Sequence, residues 1–209
     1  MKNEINSIVK DFISNLSSSD DLTRVRARHA LVAIGEPALP ALVEALDNPD
    51  NLERWEVAKA IGEIGTSEAA PALVRALEDE EFEVRWCAAE GLIRMNVQGL
   101  KPLFQALMER ADSVSLRQGA HHVLHDLAKG ELKRHLALVL KALEGKVPAV
   151  QVPIVVSHAM EQIERIQKTA DRTNSSLFET STAVMPDRVA LDLHPRGRIR
   201  RYIETLRNS

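Results

Sequence analysis

The sequence predicts an all-α fold, a right-handed solenoid built from helix pairs of about 30 residues. One phrase recurs along the chain: IGEPALPALVEALDNPD at residues 34–50 returns as IGTSEAAPALVRALEDEE at residues 64–81. Within it, Gly35 and Gly65 stand where a helix should end in a left-handed residue. Repeats of this length are typical of stacked supersecondary units. Alignment on the phrase places four leucines in one column, at intervals of 31, 30 and 36 residues: Leu46, Leu77, Leu107 and Leu143.

Each repeat divides into two amphipathic helices. In the first helix of the second repeat, Val57, Ala60 and Ile64 follow the three-and-four spacing that places side chains on one helical face. The second helix continues the pattern with Leu73 and Leu77. The two helices of a repeat are therefore expected to bury one stripe each against their neighbours.

The repeats place the domain boundaries. We expect residues 1–168 to form the array, and residues 169–209 to form a polar linker followed by a C-terminal helical arm. The elements expected within the array are a capping helix at 3–17, repeats at about 20–49, 50–80, 81–111 and 112–145, and a terminal helix at 147–168. The arm is expected to join two copies as a homodimer, to cap its own array or to remain a free tail. Its apolar and basic residues are Arg198, Ile199, Tyr202, Ile203 and Leu206.

Composition limits the partners. A net charge of −3 and an aromatic content of 3% predict neither a nucleic-acid nor a membrane partner. The first residues lack the uninterrupted apolar stretch of a signal peptide, and Cys87 is the one cysteine, so a cytoplasmic location is expected.

The second and third repeats carry a family resemblance. The segment AIGEIGTSEAAPALVRALEDEEFEVRWCAAEGL resembles the short HEAT-like repeats of phycobilisome lyase subunits, and the likeness extends over about residues 20–145. In the third repeat Asn96 replaces the glycine of the turn. The resemblance implies a HEAT-type solenoid whose second helices line a concave face.

A protein-binding role follows from that implied face. We expect a non-catalytic scaffold or adaptor that binds another protein, with a bilin lyase-like or chaperone-like accessory of tetrapyrrole attachment as the alternative. A DNA-binding reading is disfavoured, because the face carries mixed charges. The residues predicted to contact the partner are Glu44, Asp47, Arg75, Glu78, Gln105, Met108 and Lys141. Between them, alanines form a column that predicts close backbone approach: Ala45, Ala76, Ala106 and Ala142.

The sequence contains no HExxH, CxxC, GxSxG or phosphate-binding glycine loop, so neither an enzyme nor a cofactor is expected. His121 and His125 are one helical turn apart and are weak candidates for a metal site, with plain surface residues as the alternative. Cys87 shares a column with Arg26 and Glu56, which is taken as solvent-facing, and Arg85 lies nearby, where a reactive thiol would be favoured.

Two further columns recur near the start of the first helices. Trp55 and Trp86 occupy equivalent positions, which predicts either packing between adjacent helices or an exposed recognition patch. The other column predicts an arginine ladder that ties each repeat to the acidic turn of its neighbour, with anion-binding arginines as the alternative. Its members are Arg24, Arg54, Arg85 and Arg117.

Overall fold

The computed structural model describes the backbone of residues 2–181, and in this part every regular element is helical. The chain divides into two compact units after Met160, before the predicted end of the array at residue 168. The α-helices are α1 (Lys2–Ser14), α2 (Asp21–Ile34), α3 (Leu39–Ala45), α4 (Asn51–Ile64), α5 (Ala70–Ala76), α6 (Phe82–Met95), α7 (Val97–Glu109), α8 (Val114–Leu127), α9 (Leu132–Leu143) and α10 (Pro148–Ser181).

In the first unit these helices form an all-α solenoid. The first helices of the repeats, α2, α4, α6 and α8, pack side by side in chain order. The second helices pack against the next pair: α3 contacts α4, and α5 contacts both α6 and α7. Within the fourth pair, α8 contacts α9. Each predicted repeat is thus a helix pair that packs on the next pair, as a solenoid requires.

Helix α1 covers the start of the array. It contacts α2 and α3, and a short 3₁₀ turn at Asn15–Ser17 joins it to α2. Val9 and Leu16 are buried in this contact region. The helix predicted at residues 3–17 therefore caps the first repeat and removes its apolar face from water.

The leucine column lies in the core. Leu77 and Leu107 are completely buried, and Leu46 and Leu143 are each 8% exposed. The column on the first helices is buried too, with Leu31, Ile61 and Leu92 at 0% exposure. The repeat register taken from the sequence is the register of the packed array.

The first helices of the first three repeats end at a residue with positive φ. The φ angles are 72° at Gly35, 69° at Gly65 and 54° at Asn96. Gly65, with a ψ of 21°, has the predicted left-handed conformation, whereas the prediction is wrong for Gly35, whose ψ is −138°. Asn96, with a ψ of −134°, has nearly the backbone conformation of Gly35. A single turn of 3₁₀ helix follows Gly35 and contains Pro37.

Helices α4 and α6 approach each other at two glycines. A Cβ atom on Gly62 would lie 2.8 Å from the Gly91 Cα, and one on Gly91 would lie 3.0 Å from the Gly62 Cα. The backbones are therefore too close for any side chain at this crossing. The alanine column lies on other helices, the second helices of the repeats. Its members Ala76, Ala106 and Ala142 are buried and Ala45 is half-buried, and a close backbone approach at this column stays a prediction.

Helix α10 extends beyond its predicted end. It runs to Ser181, so the polar linker expected from residue 169 is helical over 169–181. The physical reason lies in the sequence, which has no glycine or proline between Pro153 and Pro186. The predicted arm residues, from Arg198 to Leu206, lie outside the described residues. No described helix is long and apolar enough to cross a bilayer.

Candidate functional site

Each second helix of the array has an exposed polar residue at the same repeat position. Glu44 lies on α3, Arg75 on α5, Gln105 on α7 and Lys141 on α9, and all four are exposed. We call these four residues the second-helix row. The row changes from an acid at its N-terminal end to a base at its C-terminal end, as the sequence predicted.

The three other predicted contact residues differ from one another in exposure. Asp47 is exposed, whereas Glu78 and Met108 are half-buried. Glu78 is also engaged, because its carboxylate forms a salt bridge with Arg110 at the C-terminal end of α7. Glu78 is therefore less available to a partner than the row residues.

The four ladder arginines use one geometry. In each case the Nη1 group donates to backbone carbonyls five or six residues earlier, in the turn that precedes its own helix. The distances are 2.6 Å from Arg24 to the Ser18 oxygen, 2.9 Å from Arg54 to Asn48, 2.8 Å from Arg85 to Asp79 and 2.8 Å from Arg117 to Ala111. The ladder thus satisfies carbonyls that would otherwise lack a partner, and it ties each first helix to the preceding repeat.

Arg54 makes a second set of contacts. Its Nε and Nη2 atoms donate to the two carboxylate oxygens of Asp79 at 2.9 and 3.0 Å, and Nη2 lies 3.2 Å from Glu80 Oε1. The side chain is buried, and Asp79 together with Glu80 raises the pKa of the guanidinium further. Of the four ladder arginines, only Arg54 contacts both turns. Its Nη1 atom donates to the preceding turn, and its bidentate pair with Asp79 reaches the following turn.

Two acids of the turns, Asp20 and Asp50, serve as helix caps. Asp20 Oδ2 accepts a hydrogen bond from the Thr23 backbone at 2.9 Å at the start of α2. Asp50 Oδ1 accepts from the Leu52 and Glu53 backbone nitrogens at 2.8 and 3.2 Å at the start of α4. These carboxylates satisfy free N–H groups of the first turn.

The expectation that the column of Arg26, Glu56 and Cys87 faces solvent is wrong for Glu56. Glu56 is 2% exposed, and its carboxylate lies 2.6 Å from Arg28 Nη1. Lys59 Nζ lies 3.8 Å from the same carboxylate. Glu56 is buried because α2 supplies a cation at the packed face of α4, and a buried carboxylate requires such a partner.

Cys87 is half-buried, and its environment does not activate it. Burial raises the pKa of the thiol, while Lys59 and a hydrogen bond from the Trp55 indole offset only part of that effect. The thiolate fraction near neutral pH is thereby reduced, which disfavours nucleophilic chemistry.

The histidines of α8 contact neighbouring acids. His121 Nε2 lies 2.8 Å from Glu144 Oε1, and the His121 and His125 rings are stacked with centroids 6.1 Å apart. His122 Nε2 lies 3.1 Å from Glu90 Oε1. Among the described residues, no group of three or more His, Cys, Asp or Glu side chains has an arrangement that could hold a metal ion.

The two tryptophans line a shallow depression of about 300 Å³ on the first helices. Trp55 is half-buried and Trp86 is 47% exposed, and Phe82 and Glu83 complete the lining. The Phe82 and Trp86 rings lie 6.1 Å apart, and His122 stacks on Trp86 at 4.6 Å. We call the four lining residues the aromatic depression. Phe82 and Glu83 were missed in the sequence, where the spacing of Phe82 four residues before Trp86 was the available signal.

Comparison with known proteins gives a family but no curated relative. No match is found among curated proteins. Among solved structures, the chain is similar to the crystal structure of an engineered protein, with 19% identity over 96% of each chain and a TM-score of 0.35, a likeness too low to bear on function.

The family model described as HEAT repeats matches residues 9–93 and again residues 39–125. Together the two matches span residues 9–125, more than half of the 209 residues. They cover the second half of the capping helix, the first three helix pairs and most of α8, which are elements that stack in the structure. On this evidence the chain belongs to the HEAT-repeat family.

Proposed function

We propose that this chain is a non-catalytic scaffold that binds another protein through the second-helix row. The observation that carries the proposal is the exposure of a polar side chain at the same repeat position on each successive second helix, from Glu44 to Lys141. HEAT repeats commonly serve as protein-interaction scaffolds, because stacked repeats present an extended surface on rigid elements.

The charge order of the row suggests the chemistry of the partner. Glu44 would pair with a basic group, and Arg75 and Lys141 would pair with acidic groups farther along the same surface. Exposed charges of this kind steer association and fix its register more than they add affinity. Binding should therefore weaken as ionic strength rises.

The proposal is tested by reversing charges on one face at a time. The row variant carries Arg75→Glu and Lys141→Glu. The control variant carries Arg26→Glu and Arg94→Glu, which are the same kind of change at exposed positions of α2 and α6. Both have the same net charge, so a difference between them reports position and not total charge.

Each protein would be used to capture partners from a lysate of the source organism, after its melting temperature is checked. We expect wild type and the control variant to retain the same partner and the row variant to lose most of it. Equal recovery by all three proteins would contradict the assignment of the face. The tetrapyrrole alternative stays a prediction, and a red-shifted absorbance band on mixing with a bilin would favour it over the scaffold.

A further inference from the structure

The aromatic depression lies on the first helices, and the proposed function does not use it. Phe82 is 59% exposed and Trp86 47% exposed, which is unusual for aromatic side chains of this size. Trp55 comes from α4 and the other lining residues from α6, so two adjacent repeats build the surface together. Exposed aromatic clusters of this kind mark recognition sites more often than plain surface.

The rings of the depression already attract cations from within the chain. Lys59 Nζ lies 4.1 Å from the centroid of the Trp55 ring, and Arg85 Cζ lies 5.8 Å from that of Phe82. Both cations are also held elsewhere, since Lys59 lies 3.8 Å from the Glu56 carboxylate and Arg85 donates to two backbone carbonyls. The electron-rich faces of these rings therefore favour positive charge, as the aromatic quadrupole predicts.

Glu83 supplies a negative charge to the same surface. Its side chain is exposed, and among the described residues it has no hydrogen bond or ion pair. Lys59 and Arg85 already lie against the Trp55 and Phe82 rings, whereas Trp86 is 47% exposed and has no cation against it among the described residues. An exposed aromatic ring together with the unpartnered Glu83 carboxylate complements a cation.

We propose that the aromatic depression binds an arginine side chain of a partner protein. The depression is shallow and open, which suits a planar guanidinium lying flat on a ring while it forms two parallel hydrogen bonds to the Glu83 carboxylate. The Trp86 ring already accepts a planar group in this way, from His122 at 4.6 Å. A quaternary ammonium would instead require rings that enclose it. This inference does not depend on the second-helix row.

The test exploits the fact that the chain has only two tryptophans and that both line the depression. The ¹⁵N-labelled full-length protein would be titrated with an acetylated and amidated Gly-Gly-Arg-Gly-Gly peptide while the two indole N–H signals are recorded. The matched peptide carries citrulline, which keeps the shape of arginine and removes its charge. We expect saturable shifts of both indole signals with the arginine peptide and about tenfold weaker binding of the citrulline peptide.

Two pairs of variants locate the binding. Glu83→Gln should weaken the arginine peptide about fivefold, whereas Glu109→Gln, which removes an exposed charge elsewhere, should leave it unchanged. Phe82→Ala should also weaken it, whereas Val114→Ala, at the equivalent exposed position of α8, should not. The proposal is overturned if the citrulline peptide binds equally well, if neither indole signal shifts, or if a trimethyllysine peptide binds more tightly than the arginine peptide.

Discussion

At the scale of single residues, the four ladder arginines occupy equivalent repeat positions but make different sets of hydrogen bonds. All four donate to carbonyls of the preceding turn, but only Arg54 also holds a carboxylate by two parallel bonds. Charge-assisted bidentate pairs are about twice as strong as neutral hydrogen bonds. The ladder arginines therefore recur at a regular spacing but should contribute unequally to the free energy of unfolding.

Replacing Arg54 should cost more than replacing its counterpart Arg85. Arg54→Ala leaves the half-buried Asp79 carboxylate without its cation, although the Glu81 backbone N–H still donates to it, and removes the hydrogen bonds to two carbonyls. We expect a loss of about 3 kcal/mol in the free energy of unfolding. Arg85→Ala removes hydrogen bonds to two carbonyls and an exposed contact with the Phe82 ring, but no carboxylate partner, and should cost about 1 kcal/mol. Urea denaturation of both variants measures the difference, and equal losses would show that the Asp79 pair contributes nothing.

The thiol of Cys87 gives a second prediction at this scale. Because burial raises its pKa, the folded protein should react with iodoacetamide more slowly than the urea-unfolded protein at pH 7.5. The rise in rate with pH should also come at higher pH when the protein is folded. The chain has one cysteine, so the rate of alkylation reports on the Cys87 thiol alone. Faster reaction of the folded protein would indicate an activated thiol after all.

At the scale of elements, the crossing of α4 and α6 depends on two glycines. Glycine in a helix normally costs about 1 kcal/mol relative to alanine, so the pair is retained against helix propensity. The structural reason is the 2.8 Å between the Cβ position of Gly62 and the Gly91 Cα. Close contact of these two helices fixes the stacking of the second repeat on the third.

Gly62→Ala should therefore destabilise the protein by about 2 kcal/mol, despite its better helix propensity. Gly119→Ala in α8 is the matched control, because the Cβ there would meet the flexible Leu77 side chain and not a backbone atom. We expect a clearly smaller loss for Gly119→Ala. Thermal melts of both variants provide the comparison, and a stabilised Gly62→Ala protein would contradict the close approach.

The sequence was informative where the structure depends on local periodicity. The leucine column could be predicted because its burial requires only the repeating apolar spacing of paired helices. The burial of Glu56 could not, because it depends on Arg28 of another helix, which the alignment of columns does not reveal. The end of α10 could not be predicted from polar composition, which favours a linker from residue 169, because no glycine or proline lies between Pro153 and Pro186 to end the helix.

The same distinction between local periodicity and contacts between helices applies to the two candidate surfaces. Exposure of the second-helix row could be predicted, since it follows from the face opposite the buried stripe. The aromatic depression could be anticipated only through Trp55 and Trp86, because the contribution of Phe82 and Glu83 depends on how α4 and α6 cross. Contacts between repeats are thus what repeat alignment predicts least well.

At the scale of the whole molecule, each repeat is stable only through its neighbours, as expected of stacked repeats. Leu77 belongs to the second repeat, is completely buried, and lies beside the Cβ position of Gly119 on the fourth repeat. Leu77→Asp should unfold the array, because it buries an unpaired carboxylate at a junction between repeats. Leu22→Asp, at a 55% exposed leucine of α2, should leave the melting temperature nearly unchanged. A cooperative melt unaltered by Leu77→Asp would contradict the repeat register.

The central claim, that the second-helix row contacts a partner protein, is tested most directly by site-specific photocrosslinking in cells of the source organism. Benzoylphenylalanine would be placed at Gln105 on the row or at Arg26, an exposed position on α2 that belongs to neither proposed surface. Because the reactive group reaches only adjoining protein, we expect a discrete crosslinked adduct from position 105 and none from position 26. Adducts from position 26 alone, or none from position 105, would contradict the claim.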